Sequence, residues 1–300
     1  MTDTSTNDPV AAAIALAPQI KAAKDEIQAQ STLPNSLVKA MAEANLFQLF
    51  VPRSIGGPET DPITAFLAVE ELSKVDGSVG WCSFVASAIS IYSAWLPADV
   101  GREMFDQPLD IRAAGSFRPT ADARPLDGGY LIGGRWNYVS GSDHANWLVL
   151  NCNIVGDNGP VFDSQGGPVT RVMIVPRSVA MVEKTWHTLG MRGTGSNDVV
   201  IEEAFVPNEH TCLLYDAAAT DGPLYEPRTV TATGWTPFAA MGLGIARGAM
   251  DTFVRLATSS GSTTSPTLIR DRTAVQTVVG ETEAIISGAR AYALEAVGEM

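Results

Sequence analysis

The residues able to do chemistry gather in two stretches. The first is Gly134-Arg-Trp-Asn-Tyr-Val-Ser-Gly-Ser-Asp-His-Ala-Asn-Trp147. It sets an indole, Trp136, shortly before a hydroxyl and glycine cluster, Ser140-Gly141-Ser142, with His144 just beyond. An indole beside small hydroxyls and uncrowded backbone N–H groups suits a flat heteroaromatic ligand with polar ring edges. The same residues also read as a strand end and a Ser/Gly turn, with Trp136 in the core. The second stretch is Trp186-His-Thr-Leu-Gly-Met-Arg-Gly-Thr-Gly-Ser-Asn-Asp198. Its Thr194-Gly195-Ser196 can present hydroxyls and backbone donors to a phosphate or a carbonyl, or can serve as a polar connection between strands.

Other chemistries leave no trace. There is no G-x-S-x-G, no H-E-x-x-H, no Walker loop and no G-x-G-x-x-G after a strand. Gly242-Leu-Gly244-Ile-Ala-Arg-Gly248 lies inside a helical pattern, so its glycines read as close helix packing. The three histidines and Cys82, Cys152 and Cys212 have no metal-type spacing, so no metal site is expected. His187 and His210 read as turn or surface residues. An odd set of scattered cysteines suits a reducing, cytoplasmic setting.

The 300 residues are 45% hydrophobic and 18% charged, which excludes a disordered chain. Twenty basic residues against 33 acidic ones leave a net charge of −13, which disfavours nucleic acid as a partner. The polar segment 1–9 lacks the basic and apolar regions of a signal peptide. Gly77 to Ala98 carries no charge and is long enough to span a bilayer. Its five serines and the flanking Asp76 and Asp99 favour a buried helix, so no membrane partner is expected.

The elements that must position the two stretches follow from periodicity. Leu16, Ile20, Ala23 and Ile27 recur at helical spacing. Pro34 suits the first position of a helix that Asn45 closes, and Asp61-Pro62 starts another. Between them lies a Gly/Pro loop, 51–58. From 110 onward β-branched and aromatic residues cluster, and strands are expected over 111–118, 129–137, 147–155, 169–176, 180–186 and 198–206. Asp127-Gly128-Gly129 reads as a hairpin turn. No crossover helices fit between the strands, so the sheet is expected to be mainly antiparallel. Residues 208–235 read as a linker, with a helix from Pro237, a break at 258–265, and a last helix from near Pro266. Its apolar seam runs through Met241, Ile245, Met250, Phe253, Val254, Leu256, Val275, Val279, Ile286 and Leu294. The chain is therefore α+β: an N-terminal helical domain (1–109), a middle antiparallel β-domain (110–210) and a C-terminal helical hairpin (within 211–300). Such a hairpin needs partners, so a homodimer or homotetramer is expected.

Six pieces of the chain, in order, resemble the acyl-CoA dehydrogenase-fold flavoproteins. They are LPNSLVKAMAEANLFQLFVPRSIGG, VEELSKVDGSVGW, GRWNYVSGSDHANW, LGMRGTGSNDVVIEEAFVP, GLGIARGAMDTFVRLA and RDRTAVQTVVGETEAIISGARAYALEA. The acyl-CoA dehydrogenases themselves usually read W-I-T-N and G-x-R-x-S-x-T at the third and fourth. The pieces here are more similar to the oxygenase components of two-component flavin monooxygenases. That resemblance implies reduced FMN, or FAD, delivered by a separate flavin reductase. It further implies O2 as co-substrate and a small aromatic substrate that is hydroxylated.

On this resemblance Trp136 and Trp186 wall the flavin. Ser140 and Ser142 are candidate donors to the oxygen-carrying flavin, and Gly141 between them is a flavin-binding candidate with them. Thr194, Gly195 and Ser196 meet the ring edge or phosphate. His144 is a pocket-wall or catalytic group. The cofactor carries the oxidation, so few charged catalytic residues are required. The alternatives are an FAD-dependent acyl-CoA dehydrogenase, with Glu281 or Glu283 as base, and a shortened flavin-binding protein without activity. Family members continue through further helices that complete a four-helix bundle and, in several oxygenases, bring a histidine to the substrate. The expectation is thus of a natural short form or a truncated product.

Overall fold

The computed structural model describes residues 8–105, 109–213, 217–259, 261–262 and 265–300. Most of the polar segment 1–9, and part of the break at 258–265, lie outside the described residues. Helix α1 spans Pro9–Gln30, α2 Asn35–Glu43, α3 Pro62–Val75, α4 Gly77–Ser90 and α5 Ala98–Met104. The strands are β1 Ala113–Leu126, β2 Gly129–Val139, β3 Trp147–Gly156, β4 Gly159–Pro160, β5 Thr170–Pro176, β6 Met181–Glu183, β7 Asn197–Pro207 and β8 Thr211–Cys212. Helices α6, Val230–Ser259, and α7, Thr273–Gly298, follow.

Local chemistry explains the helix ends. Asp61 Oδ1 accepts from the Thr64 N–H at 2.9 Å, and Pro62 fills the first turn of α3. Asp76 caps α4 in the same way, accepting from Ser78 and Val79. Pro34 is the cap of α2 rather than its first residue, and Asn45 takes a left-handed turn (φ 57°) just past its end.

Helix α4 is the uncharged segment, and it is buried inside the protein. Its serines are satisfied internally: Ser83 donates to the Leu46 carbonyl at 2.6 Å, and Ser87 accepts from the Leu49 N–H at 3.3 Å. Among the described residues no helix is long and apolar enough to cross a membrane. Ile20, Ile27, Leu37, Met41, Phe47, Phe66, Leu72 and Phe84 form the core around α4. Each such side chain contributes roughly 1.5–3 kcal/mol when removed from water.

The main sheet runs β6-β7-β2-β1-β3-β5-β8. Asp127-Gly128 makes the β1–β2 turn, with Gly128 at φ +77°. Most pairs are antiparallel, but β1 and β3 are parallel, so the sheet is mixed. The reason is local. β2 returns the chain to the start of β1, and the short link 140–146 crosses over to the far side of β1 without a helix. Strand β1 runs on to Leu126, past a register shift between Ser116 and Ala121. The expected strand 180–186 shrinks to three residues, β6.

The expected linker 208–235 gives way to helix earlier than its proline suggests. Helix α6 starts at Val230 and holds Pro237 in its interior. A proline removes one intrahelical hydrogen bond. Ring contacts of Trp235 and Phe238 with Phe84, and of Phe238 with Trp81, hold this part of α6. The last helix begins at Thr273 rather than near Pro266, because Ser265–Leu268 pairs with Gly261–Ser262 as a short ribbon. The α6–α7 seam is largely open: of its ten residues only Met250 and Ile286 are buried. Arg290 of α7 pairs with Glu70 of α3 at 2.7 Å.

Candidate functional site

Helix α4, the middle of β1, the end of β2 and the start of α6 border a half-open cavity of about 440 Å³. Aromatic rings build one wall. Trp81 meets Phe84 edge-on at 5.4 Å and Phe238 at 6.0 Å, and Phe84 meets Trp235 at 5.7 Å. Ser116, Asn137 and Ser140 supply polar groups, and Arg118 is the one charged residue among those lining the cavity. No carboxylate lines it among the described residues.

The two chemistry-bearing stretches meet beside this cavity. The Gly141 N–H donates to the Thr194 carbonyl at 2.8 Å, with Gly141 at φ +76°. Ser142 Oγ donates to the Gly195 carbonyl at 3.4 Å. Ser140 Oγ and Ser196 Oγ are 2.7 Å apart, and Ser196 Oγ lies 2.8 Å from Thr194 Oγ1. Trp81 Nε1 donates to Ser140 Oγ at 2.9 Å, which ties α4 to the sheet. Thr194 Oγ1 and Trp186 Nε1 both donate to the Met191 carbonyl at 2.9 Å.

Of the residues singled out from sequence, Ser140 lines the cavity. Thr194, Gly195 and Ser196 are buried beneath it, and Gly141 joins the two loops. Trp186 is half-buried, and its ring meets Tyr138 edge-on at 6.3 Å.

The structure places three of the candidates outside the lining of this cavity. Trp136 is 0% exposed in the sheet core among Ile132, Leu148 and Val199, and its Nε1 donates to the Asn151 carbonyl at 2.9 Å. It walls no cavity. Ser142 is fully buried and spends its hydroxyl on Gly195. His144 is buried with its ring 5.5 Å from Phe47, outside the cavity lining. Burial pushes the His144 pKa down to about 4, against a rise from Asp143, with Arg112 lowering it further. It is therefore neutral near pH 7, and among the described residues its Nδ1 has no hydrogen-bond partner.

Sequence reasoning missed Trp81, Asn137 and Tyr138. Tyr138 is 63% exposed at φ +58° and lines the cavity. Asn137 is held by Asp198, whose Oδ2 accepts from Asn137 Nδ2 and from Arg135 Nε, each at 2.7 Å. Trp81 stood within the VGW piece, but no spacing linked it to residue 140. Glu283 is occupied by Arg247 at 2.7 Å, and neither it nor Glu281 lines the cavity.

Comparison with known proteins gives matching families and folds. Residues 11–97 match the family model "Acyl-CoA dehydrogenase, N-terminal domain" and residues 236–300 match "Acyl-CoA dehydrogenase, C-terminal domain". The chain is 32% identical over 274 residues to the indole-3-acetate monooxygenase of Pseudomonas putida, covering 91% of this chain and 68% of that protein. It is 31% identical over 249 residues to the flavin-dependent monooxygenase oxygenase subunit HsaA of Rhodococcus jostii, covering 80% of this chain and 63% of that one. The chain thus spans about two thirds of the length of the curated relatives it matches. Among solved structures, XiaF from a Streptomyces species, in complex with FADH2 and glycerol, superposes with a TM-score of 0.86 at 26% identity. That match covers 97% of this chain and 74% of XiaF.

Proposed function

The chain belongs to the acyl-CoA dehydrogenase family of flavoproteins, and from that premise we propose that it is the oxygenase component of a two-component flavin-dependent monooxygenase. The observation that carries this reading is the 31–32% identity to flavin-dependent monooxygenase oxygenase components. The cavity supports it, with aromatic and aliphatic walls and a hydroxyl-bearing edge. An oxygenase needs such an apolar space to keep water from the reacting centre.

The residues present fit a flavin. Trp81, Tyr138 and Trp235 offer ring faces and edges, and Ser116, Asn137 and Ser140 offer polar partners for a heteroaromatic rim. Reduced flavin, when bound, supplies the electrons that activate O2. The chain's own residues then have three tasks: to stack on the ring system, to orient its edge, and to exclude water. Phe84, Val85, Ile89 and Trp235 suit the last task. We assign reduced FMN as cofactor, with FAD as the alternative. The substrate is a small aromatic or heteroaromatic compound, O2 is the second substrate, and the electrons come from a separate flavin reductase in the cytoplasm. The open apolar faces of α6 and α7, with Ile285 and Tyr292 exposed, support assembly as a homodimer or homotetramer.

The test is anaerobic titration of the protein with reduced FMN, followed by mixing with oxygenated buffer containing indole, indole-3-acetate or a phenol. A hydroxylated product is expected. Peroxide release with no product from any of the three would sink the oxygenase assignment.

A further inference from the structure

A run of hydrogen bonds connects Trp81 to the Met191 carbonyl through three hydroxyls. The distances are 2.9 Å from Trp81 Nε1 to Ser140 Oγ, 2.7 Å to Ser196 Oγ, 2.8 Å to Thr194 Oγ1 and 2.9 Å to the Met191 oxygen. An indole N–H only donates and a carbonyl only accepts, while each hydroxyl has a single proton. The two ends therefore fix the whole run. Thr194 gives its proton to Met191, so Ser196 gives its own to Thr194, and Ser140 gives its own to Ser196. Ser140 in turn accepts from Trp81. No other direction satisfies all four bonds. Ser196 and Thr194 are buried and lie outside the cavity lining, so reversing a bond there strands a buried polar group.

The consequence lies at the cavity. Ser140 lines it and has a lone pair left but no proton. We propose that Thr194, Ser196 and Trp81 are positioning residues that hold the Ser140 hydroxyl as an acceptor, so that the site selects a ligand atom carrying a proton. The inference rests on the flavin reading above for its first ligand. The central-ring nitrogen of a reduced flavin carries a proton, whereas that of an oxidised flavin offers only a lone pair. A ring nitrogen brought opposite Ser140 is thus accepted in the reduced state and opposed in the oxidised one. A substrate with a ring N–H presents the same chemistry.

Thr194→Val tests the direction of the run. It keeps the side-chain shape and removes the hydroxyl, while Trp186 Nε1 still satisfies the Met191 carbonyl. Ser196 then turns its proton to Ser140, and Ser140 turns its own toward the cavity. The measurement is the affinity for reduced and oxidised FMN, the reduced form under anaerobic conditions, in the wild type, Thr194→Val and Thr194→Ser. A second arm compares indole with benzofuran, which replaces the N–H by an oxygen. The wild type is expected to favour reduced FMN. Thr194→Val is expected to cut that preference by about tenfold, the scale of one hydrogen bond, while Thr194→Ser keeps it. If only the preference for indole over benzofuran collapses, the proton facing Ser140 is the substrate's and the polarised run stands. A merely structural Thr194 would lower all affinities together and leave both ratios unchanged, which overturns the proposal. A wild type that binds neither form of FMN counts against the flavin reading, and the indole comparison then decides the polarity by itself.

Discussion

Trp81 on α4 and Ser140 at the end of β2 lie 59 residues apart in sequence and 2.9 Å apart as donor and acceptor. This bond joins the helical layer to the sheet at the cavity edge, so it serves stability as well as the site. Trp81→Phe removes the N–H but keeps the ring that meets Phe84 and Phe238. A loss of about 1 kcal/mol is expected, the usual worth of one hydrogen bond. Urea unfolding checks it, and a loss no smaller than that of Trp81→Ala would deny the bond any separate role.

Trp136→Ala is expected to cost about 3–5 kcal/mol, the range for removing a large aromatic from a packed core. Flavin affinity in the fraction that still folds should match the wild type, because Trp136 touches the sheet core and not the cavity. Isothermal titration beside a melting curve separates the two effects. Weakened flavin binding in a fully folded variant would return Trp136 to the site.

His144 makes the fold sensitive to acid. Its folded pKa of about 4 lies below the ordinary 6.5, chiefly through burial. Protonation therefore favours the unfolded chain: the contribution is whole above pH 6.5 and drains away as pH falls toward 4. At about 1.4 kcal/mol per unit, the wild type should lose roughly 2–3 kcal/mol from this group by pH 4.5. His144→Leu should flatten that part of the stability curve. Parallel melting temperatures for wild type and variant from pH 7 to 4.5 would instead place the acid sensitivity elsewhere.

The contrast between Trp136 and Tyr138 shows what was legible in the chain. Capping residues such as Asp61 and the Asp127-Gly128 turn carry their own local physics, so those boundaries could be read directly. The order of helices, strands and helices followed from period alone. A period of two, however, puts residues 136 and 138 on the same face of β2. The structure breaks that rule with a register shift between Trp136 and Val139 and a positive φ at Tyr138. Neither leaves a mark in composition, so the sequence alone does not show that Trp136 lies in the sheet core while Tyr138 lines the cavity. The parallel β1–β3 pair was hidden for a related reason, since a link of seven residues, 140–146, gives no sign that it crosses a strand.

The glycines of α6 can be sorted by what lies against them. A Cβ at Gly244 would collide with the Glu70 carbonyl of α3, and one at Gly248 with the Lys74 carbonyl, whereas Gly242 has open space. Gly244→Ala and Gly248→Ala should each cost roughly 1–3 kcal/mol through overpacking against rigid backbone. Gly242→Ala should be neutral or stabilise by up to about 1 kcal/mol, as alanine favours the helix. Thermal melts of the three variants check the order. Equal stability for all three would mean that α6 and α3 do not approach this closely.

Tyr138 supplies the sharpest separation of ligand binding from folding. Its side chain is 63% exposed and its ring meets Trp186 edge-on at 6.3 Å, so little of the fold depends on it. Its φ of +58° is a conformation that alanine adopts no more readily than tyrosine. Tyr138→Ala should therefore change stability by less than about 1 kcal/mol, in line with other surface substitutions. Yet Tyr138 lines the cavity, and an aromatic face lost from a binding site commonly weakens a ligand by about 1–3 kcal/mol. Reduced FMN should accordingly bind at least several-fold more weakly, while the melting temperature of the ligand-free protein barely moves. Tyr138→Phe should restore most of the affinity if the ring face matters, and little of it if the hydroxyl does. Unchanged affinity in Tyr138→Ala would put the flavin on another wall of the cavity, with Trp81 and Trp235 as the rings to replace next.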